Sequence, residues 1–142
     1  MEIRICKNTD IKEIYHLICE LEDTEFNYEI FREVCKYKIN DNRCYSILGI
    51  ANHKIIAFLC MKLDYQLHHT GKVATIEELI VNTLHRSNGI GKTLLDHAIS
   101  YAKKSDCEVI ELTSNFSRER AHNFYMKNGF KKGSFKFKLE LK

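Results

Sequence analysis

The spacing of apolar positions divides the chain into alternating strands and helices. Residues 2–6 alternate and are β-prone, which predicts a short first strand. Ile11, Ile14, Tyr15, Leu17, Ile18 and Leu21 recur at the three- and four-residue steps of one helix face, so a helix is expected over about 11–21, capped by Asn8 or Asp10. A second helix follows over about 27–39, with Ile30, Phe31, Val34 and Cys35 apolar. Beyond a polar turn at 40–43, a strand at 45–50 and a longer one at 55–64 flank a hairpin turn of Asn52, His53 and Lys54. A third strand of this series spans about 73–81 and runs into a glycine-rich turn. Helical spacing returns over 94–102, and 107–112 is a nearly continuous apolar strand. Ser117 can cap a last helix over 118–127, closed by Asn128 and Gly129. The tail, 130–141, alternates through Phe135, Phe137, Leu139 and Leu141 and reads as a closing strand.

The strand-to-helix junction at 76–95, IEELIVNTLHRSNGIGKTLL, carries the clearest chemistry. Backbone N–H groups at a helix N-terminus are unpaired and partly positive, so an anion can rest on them. Gly89 and Gly91 remove the Cβ atoms that would hold a phosphate away, and Arg86 and Lys92 bracket the turn with full charges. Spacing excludes two users of such a turn. A Walker A loop needs glycine where this chain has Arg86, and a dinucleotide fingerprint needs a third glycine, an early strand and a later acid. What stands is R-x-x-G-x-G directly after a strand ending in Leu79, Ile80 and Val81.

Composition bounds the setting. A chain of 142 residues with 44% hydrophobic and 29% charged residues is expected to fold as one domain, 1–142. No apolar run approaches the roughly 20 residues of a membrane span, and the first ten residues lack the apolar core of a signal peptide. The net charge of +3, with Lys and Arg scattered, accommodates an anionic small molecule but argues against a nucleic-acid partner. Six cysteines (Cys6, Cys19, Cys35, Cys44, Cys60 and Cys107) form no C-x-x-C pair and lie mostly in apolar patterns, as reduced core residues of a cytoplasmic protein do.

The R-x-x-G-x-G turn resembles the pyrophosphate-binding motif of the GCN5-related N-acetyltransferases, and the resemblance extends along the chain. Ala121, Phe124, Tyr125, Gly129 and Phe130 look like that family's A-x-x-F-Y-x-x-x-G-F signature. The resemblance implies an α/β fold with a central mixed, mostly antiparallel sheet, splayed at the acetyl-CoA site and flanked by helices. It implies acetyl-CoA as cosubstrate, its pantetheine on the backbone of Leu79, Ile80 and Val81. The diphosphate would lie on Arg86, Ser87, Asn88, Gly89, Ile90, Gly91 and Lys92. Tyr125 would be the general acid for the departing thiolate. Many members carry asparagine where this chain has Arg118, so the pantetheine contact falls to Asn115. For the base, Glu77 and Glu78 are expected on opposite faces of their strand. Glu78 is the chosen base, with Glu77 as its exposed partner and a water relay from the level of Thr75 left open.

Segments outside these motifs, including Leu67-His68-His69 and Ser134-Phe135-Lys136-Phe137, resemble the aminoalkylphosphonate N-acetyltransferases. That narrower likeness implies a small primary amine bearing a phosphonate as acceptor, with a divalent metal assisting. His68 and His69 could share a metal only if they lie in a turn, and Arg32, Arg43 and Lys136 are candidate phosphonate partners. Other acceptors (a polyamine, an aminoglycoside, a protein N-terminus or lysine) and a non-catalytic acyl-CoA sensor remain alternatives. A homodimer through edge strands is also left open, as is common for this fold.

Overall fold

Asn52 and His53 both adopt left-handed backbone, with φ of 51° and 63°. This type I′ geometry matches the twist of the strands it joins, β2 (Cys44–Ala51) and β3 (Lys54–Gln66). Around that hairpin, β1 (Glu2–Ile5) pairs antiparallel with β2, and β4 (Gly71–Val81) pairs antiparallel with β3. With β5 (Cys107–Leu112) beside β4, the sheet order is β1-β2-β3-β4-β5. Strands β3 and β4 reach further than their apolar patterns predict. The connection is a tight turn, with Thr70 at φ 49° and its N–H on the Leu67 carbonyl at 3.0 Å.

The computed structural model describes residues 1–142, which divide into two compact units, Met1–Glu111 and Leu112–Lys142. In the first unit helices cover both faces of the sheet. On one face lies α3 (Ile90–Lys104), with Leu94, Leu95, Ala98 and Ala102 buried. Tyr101 stacks on Tyr45 with centroids 3.9 Å apart. A Cβ on Gly49 would stand 3.2 Å from the Cβ of Ala57 and 3.4 Å from Leu94 Cδ1, so the glycine permits this close packing. On the other face α1 (Ile11–Glu22) and α2 (Tyr28–Asn40) bury Ile14, Leu17 and Cys35 against Leu48, Phe58, Cys60 and Ile80. Each large aliphatic side chain removed from water contributes about 1.5–3 kcal/mol.

Local chemistry sets the helix ends. Asn27 caps α2 by accepting the Ile30 N–H at 3.1 Å. Of the two expected caps, Asn8 and Asp10, Asp10 takes the N-cap position of α1 at the end of a short 3-10 turn over residues 8–10, but its side chain makes no capping bond to the helix. The Asp10 carboxylate accepts the Lys7 N–H at 2.8 Å and two bonds from Arg4, both at 2.9 Å. In α2 the apolar residues split into two stripes. Phe31, Cys35 and Ile39 pack against the core, whereas Ile30 and Val34 are exposed.

In the second unit, α4 (Glu119–Lys127) ends in a Schellman motif. Gly129 has φ 94°, its N–H meets the Met126 carbonyl at 3.1 Å, and the Phe130 N–H meets that of Tyr125 at 3.0 Å. Ser117 does not cap this helix. Asn115 organises its approach, its Oδ1 accepting the Ser117 N–H at 3.0 Å and the Ser117 hydroxyl at 2.8 Å. The expected closing strand at 130–141 is not formed; these residues adopt no helix or strand, and Phe135, Phe137, Leu139 and Leu141 are exposed. Alternation gives strand propensity, but a strand exists only where a neighbour completes its ladder.

Candidate active site

A cavity of about 250 Å³ opens between the α1/α2 layer and the sheet. Its walls are mainly apolar, including Ile14, Ile18, Phe31, Val34 and Phe58, and its polar groups are Lys38, Ser46, Glu77 and Glu78. Both glutamates line it, which corrects the expectation that they point to opposite faces. The reason lies in the register of β3 and β4: Cys60 pairs with Glu78, but Met61 pairs with Ile76. Glu77 is the extra residue of a β-bulge, and the strict alternation of side chains fails there.

Sequence reasoning missed Lys38. It lies in the last turn of α2, three residues after Cys35 and seven after Phe31, so helical spacing places it on the core stripe. Its ammonium forms an ion pair with Glu77. Burial pulls the Lys38 pKa down, but the hydrogen bond and charge of Glu77 outweigh it and leave it raised, so Lys38 is charged at neutral pH. The neighbouring thiols are neutral. Burial pushes Cys35 and Cys60 up to about 11, and the Ser46 hydroxyl lies 3.4 Å from Cys60 Sγ. Neither is the thiolate that nucleophilic catalysis requires.

From this cavity β4 leads through Leu79, Ile80 and Val81, paired with Leu59, Phe58 and Ala57 of β3, to the glycine turn. Arg86 spans the turn, its Nε donating to the Val81 carbonyl at 3.1 Å. Ser87 and Gly89 both have positive φ, 70° and 76°, and Asn88 lies between them. The first helical bond of α3 runs from the Thr93 N–H to the Gly89 carbonyl at 3.1 Å. The N–H groups of Ile90, Gly91 and Lys92 therefore precede the hydrogen-bonded ladder, at the positive end of the helix. Lys92 is held to Asp96, one turn on, at 2.8 Å. The turn is fixed from α1 as well, through Glu20, which accepts the Thr83 N–H at 3.1 Å.

Tyr125 and Asn115 belong to the second unit. Tyr125 is half-buried between Phe124 and Phe130, in edge contacts with centroids 5.3 and 5.6 Å apart. Burial raises its pKa and the Arg118 charge partly offsets this, so the phenol stays protonated at neutral pH. The Asn115 side-chain oxygen is committed to Ser117, and its carbonyl to His122 Nε2 at 2.8 Å.

His68 and His69 do lie in a turn, their ring centroids 4.3 Å apart, and His69 Nε2 is 3.1 Å from Glu111. No group of three or more His, Cys, Asp or Glu side chains is arranged to hold a metal ion. The donor set therefore does not fit the divalent metal implied by the sequence likeness. Of the candidate phosphonate partners, Arg32 pairs with Glu29 at 3.0 Å and Arg43 with Asp41 at 3.1 Å, while Lys136 stands in the exposed tail.

Comparison with known proteins identifies the family and the fold. The acetyltransferase (GNAT) family model matches residues 11–130. Aminoalkylphosphonate N-acetyltransferase of Salmonella typhimurium is 32% identical over 136 residues, covering 96% of this chain and 88% of that protein. Among solved structures, a protein described as a transcriptional regulator from Bacillus halodurans C-125 superposes with a TM-score of 0.90 at 24% identity, covering 99% of each chain. An aminoglycoside antibiotic 6'-N-acetyltransferase from Acinetobacter haemolyticus gives a TM-score of 0.84 at 17% identity, covering 100% of this chain and 99% of that one. At these identities the structural matches establish the fold alone. No helix is long and apolar enough to cross a membrane.

Proposed function

The chain belongs to the acetyltransferase (GNAT) family, and is an acetyl-CoA-dependent N-acetyltransferase; from that premise we propose that it acetylates the primary amine of a small aminoalkylphosphonate. The observation that carries this reading is the 32% identity to the Salmonella enzyme across nearly the whole chain. The cavity supports it. At about 250 Å³ it falls below the roughly 300–1,000 Å³ of sites for drug-sized molecules, so it suits a short acceptor better than an aminoglycoside. Residues 1–142 act as one catalytic domain in this reading, since the family match spans both units.

In the reaction, the Glu78 carboxylate takes one proton from the acceptor ammonium, and the freed amine attacks the thioester carbonyl. The C–N bond forms as the carbonyl π electrons move to oxygen. The tetrahedral intermediate then collapses, the C–S bond breaks, and the leaving sulfur takes the Tyr125 hydroxyl proton. The second nitrogen proton returns to the tyrosinate, so one proton leaves through Glu78 for each amide formed. Leu79, Ile80 and Val81 offer backbone groups to the pantetheine, which bears amides and adds like an extended strand. The N–H groups of Ile90, Gly91 and Lys92 receive the diphosphate, with Arg86, Ser87, Asn88 and Gly89 shaping the turn.

The test is thiol release from acetyl-CoA against 2-aminoethylphosphonate, spermidine, an aminoglycoside and a lysine peptide, each with and without a divalent metal. Turnover on the aminophosphonate above the others is the expected result. Turnover only on another amine would remove the acceptor assignment, and acetyl-CoA binding without any turnover would favour a sensor.

A further inference from the structure

The geometry points to Lys38 as the anchor for the acceptor's anionic group, and to the Lys38–Glu77 ion pair as a resting contact that a zwitterionic acceptor opens. This rests on the acceptor reading above and adds a recognition mechanism to it. The cavity holds one cation and two carboxylates, with Ser46 as the one further polar group on otherwise apolar walls. Lys38 is 28% exposed and Glu77 36%, so each is partly desolvated and each needs an opposite charge. With the cavity empty of acceptor they satisfy one another.

A molecule with an ammonium at one end and a phosphonate or carboxylate at the other satisfies both again. Its anion replaces Glu77 on Lys38, and its ammonium lies between Glu77 and Glu78. The phosphonate then pairs with Lys38, and the amine lies against Glu78, the proposed base. A neutral-tailed amine leaves the ion pair closed and has only Glu78 to meet. A polyamine brings a second cation to Lys38 and is repelled. The bulge makes this exchange feasible, because it turns Glu77 into the cavity beside Glu78. The arrangement thus selects zwitterions by charge, with no arginine cluster and no metal. Arg32 and Arg43 already have carboxylate partners outside this cavity.

The experiment compares the unmodified protein with Lys38→Met, which keeps most of the side-chain stem, and with Lys38→Arg, which keeps the charge. Binding of 2-aminoethylphosphonate and of propylamine is measured by calorimetry, and KM and kcat for both by thiol release. Lys38→Met should weaken the phosphonate about 10- to 100-fold in Kd and KM, with kcat much less affected. Its affinity for propylamine should rise, because Glu77 is released, and Lys38→Arg should recover most of the phosphonate binding. Equal losses for both ligands, or an unaltered phosphonate Kd, would overturn the anchor. Calorimetry keeps the two readings distinct. Lys38-dependent phosphonate binding without turnover would remove the aminophosphonate as acetyl acceptor and leave the anchor standing.

Discussion

Glu77 and Glu78 are consecutive in one strand and still line the same cavity. A single β-bulge opposite Cys60 and Met61 produces this, because it inserts Glu77 without a partner in β3. The two carboxylates have different neighbours. Glu77 is engaged by Lys38, and Glu78 lies in register with Cys60, whose thiol is buried and neutral.

That difference separates their mutational effects. Glu78→Gln keeps the shape and removes the proposed base, so kcat should fall about 10²- to 10⁴-fold with little change in acetyl-CoA affinity. Glu77→Gln should instead act mainly on the KM of the acceptor, with a smaller loss in kcat. Steady-state kinetics on both variants decides this. A larger kcat loss for Glu77→Gln would exchange the two roles.

Gly89 starts α3 with φ 76°, and a Cβ there would meet nothing within 4 Å. Substitution therefore costs backbone strain and not collision. Gly89→Ala should lower stability by about 1–2 kcal/mol, or roughly 2–8 °C in Tm. If the turn binds the diphosphate, the KM for acetyl-CoA rises while the acceptor KM holds. Thermal melting and acetyl-CoA titration separate the two effects.

Tyr125 supplies a prediction at alkaline pH. Burial keeps its phenol protonated beyond the usual value of about 10. A general acid works only in its protonated form, so if Tyr125 is the acid proposed above, kcat should hold through neutral pH and decline above that value. Tyr125→Phe should cut kcat about 10²-fold or more and abolish this decline. A variant that retains full kcat would leave the tyrosine an aromatic packing residue.

Much of this was legible because short-range patterns carried it. The Asn52–His53 turn, the helical face of α1, the glycine start of α3 and the Gly129 stop of α4 each depend on residues within a few positions. The opposing failures come from partners distant in sequence. The bulge at Glu77 is set by pairing with β3, and Lys38 meets Glu77 because α2 lays it over that bulge. Alternation in the tail gave the same signal as that of a paired strand, but a ladder needs a second strand. The role of Asn115 Oδ1 in organising the turn before α4 likewise depends on the local fold and gave no sequence signal.

The first strand offers a test of stability that is independent of catalysis. Asp10 is only 5% exposed and accepts two bonds from Arg4 and one from the Lys7 backbone. The Arg4 hydrogen bonds hold its carboxyl below the usual range; burial opposes this, and the Lys7 N–H adds to the lowering. A carboxyl lowered on folding contributes stability that is present above its unfolded value, near 3.9, and is lost as pH falls through the folded value. Asp10→Asn removes the charge and one acceptor, and should cost about 2 kcal/mol at pH 7, roughly 4–8 °C in Tm. The penalty should shrink as pH drops below about 4, where the parent protein loses the same contribution. Denaturant melts of both proteins from pH 7 to pH 3 measure the difference. A penalty constant across that range would mean that Asp10 acts through packing and not through its charge.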